Sequence, residues 1–148
     1  MEAYYAFVKR IIKSLQGSGL DYAFTGALAI SYYGIPRTTS DIDVIIEVVD
    51  EVYSKEKLIS ALRKAGLIID ERKIDNALTS GFKIASFKDS LSPYSIDIIF
   101  SNENMEKRSG KVAGLETFFQ SPEGLIAAKL RMIKATIPPE PQLKTKKT

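Results

Sequence analysis

Two aspartates, Asp41 and Asp43, flank Ile42 at the head of the β-branched run Val44-Ile45-Ile46. Such a run, bounded by turn-prone residues, predicts a strand, and residues two apart on a strand share a face. Both carboxylates therefore point one way and Ile42 the other. Two carboxylates this close repel each other unless a cation lies between them. Mg2+ suits the arrangement, because it is commonly held by one or two carboxylates together with substrate phosphates. Upstream, Tyr22-Ala23-Phe24 predicts a short strand, and Gly26-Ala27 opens a helix carrying Leu28, Ala29 and Ile30. A helix start presents unpaired N–H groups and the positive end of a dipole, both suited to phosphate. Gly26 lets a triphosphate approach the backbone with no Cβ in the way. Gly34 and Pro36 end this helix, and Arg37 then stands just ahead of the acids, able to bridge phosphate oxygens in bidentate fashion. Each feature alone has a bland explanation: surface acids, a turn, a structural arginine. Their order along one short stretch points to a site for a divalent metal and a nucleoside triphosphate.

The rest of the composition narrows the chemistry. The chain has 148 residues, 45% hydrophobic and 26% charged, with no Cys and no His. These proportions are ordinary for a globular protein with one substantial core. Without Cys or His there are no disulfides, no thiolate nucleophile, no Ser-His-Asp catalysis and no ordinary zinc site, so a metal must take oxygen ligands. The net charge of +3 is matched by Lys144, Lys146 and Lys147 at the extreme C-terminus. The remainder is near neutral and gives no sign of a nucleic-acid-coating surface. No apolar run reaches membrane-spanning length and no signal-peptide layout opens the chain, so a cytoplasmic location is expected.

The stretch Gly26-Ala27-Leu28-Ala29, Tyr33-Gly34, Arg37, Thr39 and Asp41-Ile42-Asp43 resembles the nucleotidyltransferase superfamily with the DNA-polymerase-β-like fold. It is most similar to the small prokaryotic branch, which includes minimal stand-alone enzymes and the toxin-type members of abortive-infection and toxin–antitoxin systems. The resemblance implies an α+β nucleotidyltransferase fold, a mixed β-sheet flanked by helices. One departure is Ala27, where the family usually has a second Gly or a Ser whose hydroxyl contacts phosphate.

The remaining elements are read from periodicity. Residues 3–16 carry Tyr4, Phe7, Val8, Ile11, Ile12 and Leu15 at helical spacing, ended by Gly17 and Gly19. After the acidic strand, Ser54 is placed as the N-cap of a helix with Leu58, Ile59, Leu62 and Ala65 buried and Gly66 as its stop. Leu67 to Ile69 reads as a short strand or extended exit. Asp70-Glu71-Arg72-Lys73 reads as a solvated loop, and residues 74–80 as a short helical turn at most. Residues 82–87 and 94–100 predict a hairpin around the turn 88–93. Residues 101–110 read as polar and mobile, and 111–119 as one or two short strands. Ser121-Pro122-Glu123 is a strong helix start, with the helix running to about Lys134. Residues 1–137 are taken as a single domain and 138–148, after Pro138-Pro139-Glu140-Pro141, as a disordered basic tail.

Two residues in these elements bear on the site. Asp97 is an acid between isoleucines, on a strand face shared with Ser95 and Ile99, and a charge is seldom placed there without a partner. That face is either solvated or supplies a third metal carboxylate. In the resembling family a third acid comes from a later strand beside the first acidic one, and Asp97 matches that position. Lys129 lies along the buried side of its helix with Ile126, Leu130 and Ile133. It either snorkels or faces phosphate, and the phrase Pro122, Glu123, Leu125, Ile126 and Lys129 is similar to one found in small nucleotidyltransferases.

The expected activity is transfer of a nucleoside monophosphate from an NTP to an acceptor hydroxyl, with release of pyrophosphate. Asp41, Asp43 and Asp97 would hold two Mg2+ or Mn2+ ions, and Gly26, Ala27, Arg37 and Lys129 would bind the nucleotide. RNA or tRNA 3′ ends, a protein side chain and a small molecule are all candidate acceptors. The competing reading is a non-catalytic or partner-dependent module of a toxin–antitoxin-type system.

Overall fold

The computed structural model describes residues 2–34, 40–79, 83–127 and 130. In chain order the elements are α1 (Glu2–Gln16), β1 (Asp21–Thr25), α2 (Gly26–Tyr32), β2 (Asp41–Glu47), α3 (Glu51–Ala65), α4 (Glu71–Thr79), β3 (Ile84–Lys88), β4 (Ser95–Ser101), β5 (Lys107–Val112) and β6 (Leu115–Gln120). Residues 122–127 are also helical. The strands form one six-stranded sheet in the order β3-β4-β2-β1-β6-β5. The sheet is mixed: β2 runs antiparallel to β1 but parallel to β4, and β1 runs parallel to β6.

Alternation along the strands sends one set of side chains into a single core. Ile42, Val44 and Ile46 of β2, Ile96, Ile98 and Phe100 of β4, and Tyr22 and Phe24 of β1 pack with the apolar stripe of α1, Tyr4, Phe7, Val8, Ile11, Ile12 and Leu15. Leu58, Ile59, Leu62 and Ala65 of α3 close the same core. Gly66, in the left-handed region at φ 94°, ends α3. The odd-numbered residues of β2 and β4 are left for the opposite face, where the carboxylates lie.

Several boundaries differ from expectation. Helix α3 begins earlier, with Asp50 as its N-cap: the Asp50 side chain accepts from Tyr53 N at 3.1 Å. Ser54 is buried inside the first turns instead. The charged run 70–73 is the entrance to a real helix, because the Asp70 side chain accepts from Arg72 N at 3.1 Å and Ile74, Ala77 and Leu78 bury one face. The polar stretch 101–110 holds most of β5, paired in register with β6 across a two-residue turn. Ala113 at φ 51° and Gly114 at φ 82° give that turn the conformation that suits strand twist. The helix after Ser121 starts as expected, Gly124 N donating to Ser121 Oγ at 3.0 Å. Its continuation to Lys134 and the tail 138–148 lie outside the described residues.

One ion pair ties α1, α3 and the β3–β4 turn together. Arg10 donates from Nη1 to Asp89 Oδ1 at 2.9 Å, from Nη2 to Asp89 Oδ2 at 2.7 Å, and from Nη1 to the carbonyl of Ala65 at 2.6 Å. The Asp89 side chain is fully buried and Arg10 is 27% exposed. Burial alone would raise the Asp89 carboxyl, but the hydrogen bonds from Arg10 and Ser92 hold it below its ordinary value. This stabilisation is present at neutral pH and is lost as pH falls through the depressed value. Arg10→Ala strands the buried carboxylate, and urea unfolding at pH 7 should show a loss of about 3 kcal/mol.

Candidate active site

Strand register assembles the site. Asp43 of β2 is the direct partner of Asp97 on β4. Asp97 is in turn the partner of Ser86 on β3, and Asp43 is the partner of Thr25 on β1. Directly paired residues on neighbouring strands point to the same side of a sheet. One polar row, Ser86–Asp97–Asp43–Thr25, therefore crosses four strands. One step along the strands, Lys88, Ser95 and Asp41 form a second row on the same face. On the other side of the acids the face turns apolar, with Ile84, Ile99, Ile45 and Ala23 in register.

Each acid is held by its neighbours. Ser86 Oγ donates to Asp97 Oδ1 at 2.6 Å, and Ser95 Oγ donates to Asp41 Oδ1. Thr25 Oγ1 donates to Gln120 Oε1 at 2.7 Å, closing the row toward β6. Asp43 lies against the turn where β1 becomes α2. A Cβ built on Gly26 would stand 2.1 Å from Asp43 Oδ2, and Gly26 is at φ 62°. Glycine is thus required twice, for backbone conformation and for room. Ala27 occupies the first turn of α2.

The electrostatics follow from the convergence. Burial pushes the Asp43 carboxyl up, the charge of Asp97 and its hydrogen bond add to this, and the charge of Asp41 adds further, bringing it to about 6. As the side chains stand, no three acidic groups among the described residues gather closely enough to enclose a metal ion. The donor set fits a hard divalent cation all the same. It is all oxygen, its acids occupy adjacent register positions, and the burial and the repulsion from Asp97 and Asp41 that raise the Asp43 carboxyl would be offset by a cation. Below about pH 6 a cation would have to displace the Asp43 proton, so Mn2+ affinity should rise about tenfold per pH unit there and level off above it. Titration of Mn2+ into the protein from pH 5 to 7.5 measures this.

Of the residues singled out from sequence, Asp41, Asp43, Asp97, Gly26 and Ala27 are brought to this face and its edge. Arg37 and Lys129 lie outside the described residues. Ser86, Ser95 and the Thr25–Gln120 pair were missed. Their signal was available in the alternation, since Ser95 stands two before Asp97, and Ser86 lies on the exposed face that alternates with buried Ala85 and Phe87.

A mixed sheet carrying a carboxylate row beside a glycine-opened helix is the arrangement of a nucleotidyltransferase fold. The chain is similar in structure to a Thermotoga maritima protein assigned as a nucleotidyltransferase, TM1012, with a TM-score of 0.63 at 16% identity over 91% of this chain and 88% of that one. It is also similar to the antibiotic-resistance factor ANT(2″)-Ia, with a TM-score of 0.65 at 13% identity over 93% of this chain and 75% of that one. At these identities the likeness concerns the fold. The sequence model of the AbiEii nucleotidyl transferase toxins of type IV toxin–antitoxin systems matches residues 9–141, and the chain belongs to that family. No curated protein matches the chain by sequence.

Proposed function

We propose that this nucleotidyltransferase is metal-dependent and transfers a nucleoside monophosphate from an NTP to an acceptor hydroxyl, with pyrophosphate as the leaving group. The observation that carries the reading is the direct pairing of Asp43 with Asp97 beside Gly26, with Asp41 one step away on the same face. Asp41, Asp43 and Asp97 would hold two Mg2+ or Mn2+ ions. When bound, such ions increase the acidity of the attacking hydroxyl and stabilise charge on the departing pyrophosphate. The chain's own residues do the positioning. Gly26 and Ala27 leave backbone N–H groups open to the triphosphate, and Arg37 and Lys129 supply phosphate contacts. Asp97, on the far side of Asp43 from Gly26, orients the acceptor hydroxyl and receives its proton as the new P–O bond forms and the bond to pyrophosphate breaks.

The acceptor side is therefore the β3 side. Lys88 of β3 is paired with Ser95 in register on the carboxylate face, which favours an anionic acceptor such as an RNA 3′ end over a neutral small molecule or a protein side chain. The reaction draws on the cytoplasmic NTP pool. Among the described residues no helix is long and apolar enough to cross a membrane.

The second reading is a partner-dependent module that acts only with the other half of its toxin–antitoxin system, and Ala27 in place of a phosphate-binding serine favours it. Thermal unfolding separates the two. Wild type should be stabilised by one NTP in the presence of Mg2+ or Mn2+, by about 2.7 kcal/mol at a hundredfold excess over the dissociation constant. Asp41→Asn/Asp43→Asn should lose this response. No response of a folded wild type to any of the four NTPs would leave the partner-dependent module standing instead.

A further inference from the structure

The structure already holds one alcohol in contact with Asp97. Ser86 Oγ donates to Asp97 Oδ1 at 2.6 Å, from the position directly across from Asp97 in register. Asp97 is hydrogen-bonded to Asp43 as well, so it links the serine to the acid beside Gly26. An acceptor alcohol has to come within hydrogen-bond reach of the group that takes its proton, and Ser86 meets that condition. Serine is a weak nucleophile until an adjacent base activates it. The other two hydroxyls described on this face are engaged elsewhere, Ser95 Oγ with Asp41 and Thr25 Oγ1 with Gln120. Ser86 is exposed and β3 is an edge strand, so its side chain has room to carry an added group. Lys88 lies two residues along on the same face, where its charge would favour an added phosphodiester. A hydrogen bond between exposed groups adds little to stability, so the fold alone gives slight reason for this one.

We propose that Ser86 is an internal acceptor, to which the protein transfers a nucleoside monophosphate when no external alcohol occupies the site, closing the site to further NTP. Ser86 Oγ forms a bond to the α-phosphorus of the NTP, the bond from that phosphorus to the pyrophosphate oxygen breaks, and the Ser86 proton passes to Asp97. The products are pyrophosphate and a nucleotide held on Ser86 as a phosphodiester. The proposal rests on the metal-dependent transfer reading of the same acids. The attached nucleotide remains on the carboxylate face, where the next NTP would have to bind.

The test uses the full chain with Mn2+ and each of the four NTPs in turn, with no acceptor added. Intact mass and peptide mapping follow the covalent product, and thermal unfolding follows NTP binding separately. Wild type, Ser86→Ala, Ser86→Thr and Asp43→Asn are compared. With one NTP, wild type should gain a single nucleoside monophosphate, mapped to Ser86. Ser86→Thr keeps a hydroxyl and suits a strand, so it should gain one too. Ser86→Ala should gain none and still show the NTP-dependent rise in midpoint, and Asp43→Asn should show neither. Modified wild type, freed of metal and nucleotide, should no longer respond to fresh Mn2+ and NTP. A wild type whose midpoint rises with NTP but whose mass stays unchanged would overturn the internal acceptor and leave the donor site standing. Mass gained equally by Ser86→Ala, or mapped to another residue, would overturn it too, as would modified protein that binds fresh NTP like unmodified. A folded wild type with neither a rise nor a mass gain would overturn the transfer reading itself, and this proposal with it.

Discussion

Asp43→Asn is expected to lower nucleotidyl transfer by about 1,000-fold or more and, in the same protein, to raise the unfolding midpoint in the absence of metal. The first effect comes from removing one of the three carboxylates that would hold the cations offsetting phosphate charge, where a bound metal ion would supply several kcal/mol of transition-state stabilisation. The second comes from the apo site. In the folded chain the Asp43 carboxyl is raised from 3.8 to about 6, by burial first and then by Asp97 and Asp41. A folded value above the unfolded one means that the folded state binds the proton more tightly. The Asp43 contribution to metal-free stability is then fully present below about pH 4 and is lost as pH rises through about 6. Asparagine carries no charge and should flatten the dependence across that window. Midpoints of both proteins in chelator from pH 4 to 7.5 test the sign, and adding Mg2+ should reverse the order at pH 7. An asparagine variant less stable than wild type in chelator at pH 7 would contradict the account.

Gly26→Ala should be the second severe change, although it removes nothing. The left-handed conformation at φ 62° disfavours an L-residue by roughly 1–2 kcal/mol. The larger consequence is local, because the new methyl would stand 2.1 Å from Asp43 Oδ2. The carboxylate must leave its place beside Asp97, and transfer is expected to fall by about 100-fold, an effect comparable to misplacing a reacting group by an ångström. Gly114→Ala is the matched control. Gly114 has φ 82° and nothing within 4 Å of its would-be Cβ, so it should show the backbone strain in its midpoint and keep transfer unchanged. Equal losses of activity in the two variants would show that strain, and not the contact with Asp43, limits the first.

Local chemistry made much of this arrangement legible. The alternation Asp41-Ile42-Asp43 placed both acids on one face, and Asp97 between isoleucines announced a charge that needed company. The turn 88–93 set β3 and β4 as a hairpin. What could not be read was which residue meets which across β2 and β4, because parallel pairing depends on distant chain segments and leaves no short-range turn to fix its register. The exact pairing of Asp43 with Asp97 and of Asp41 with Ser95 therefore came only with the sheet. Other misses had local causes. Asp50 and Ser54 are both good N-caps, and the acid four residues earlier prevailed with Glu51 in the first turn. The run 70–73 looked like loop because its charges hide the helical spacing of Ile74, Ala77 and Leu78. Lys107 to Val112 lacks the apolar alternation of a strand, since β5 lies at the sheet edge, where charge is common.

The parallel pairing of β2 with β4 also bears on how the protein comes into being. Asp41 and Ser95 are 54 positions apart, and closing a loop of that length is an entropic barrier that local hairpins do not face. During synthesis the two N-terminal acids emerge with no third carboxylate to oppose them, and the repulsion from Asp97 that helps to raise Asp43 arises only when β4 docks. A nascent chain halted before β4 carries the helix-opening glycine and Asp41-Ile42-Asp43 but has no assembled centre. A toxin-family enzyme built this way would bring its candidate site acids together late, only after β4 has left the ribosome.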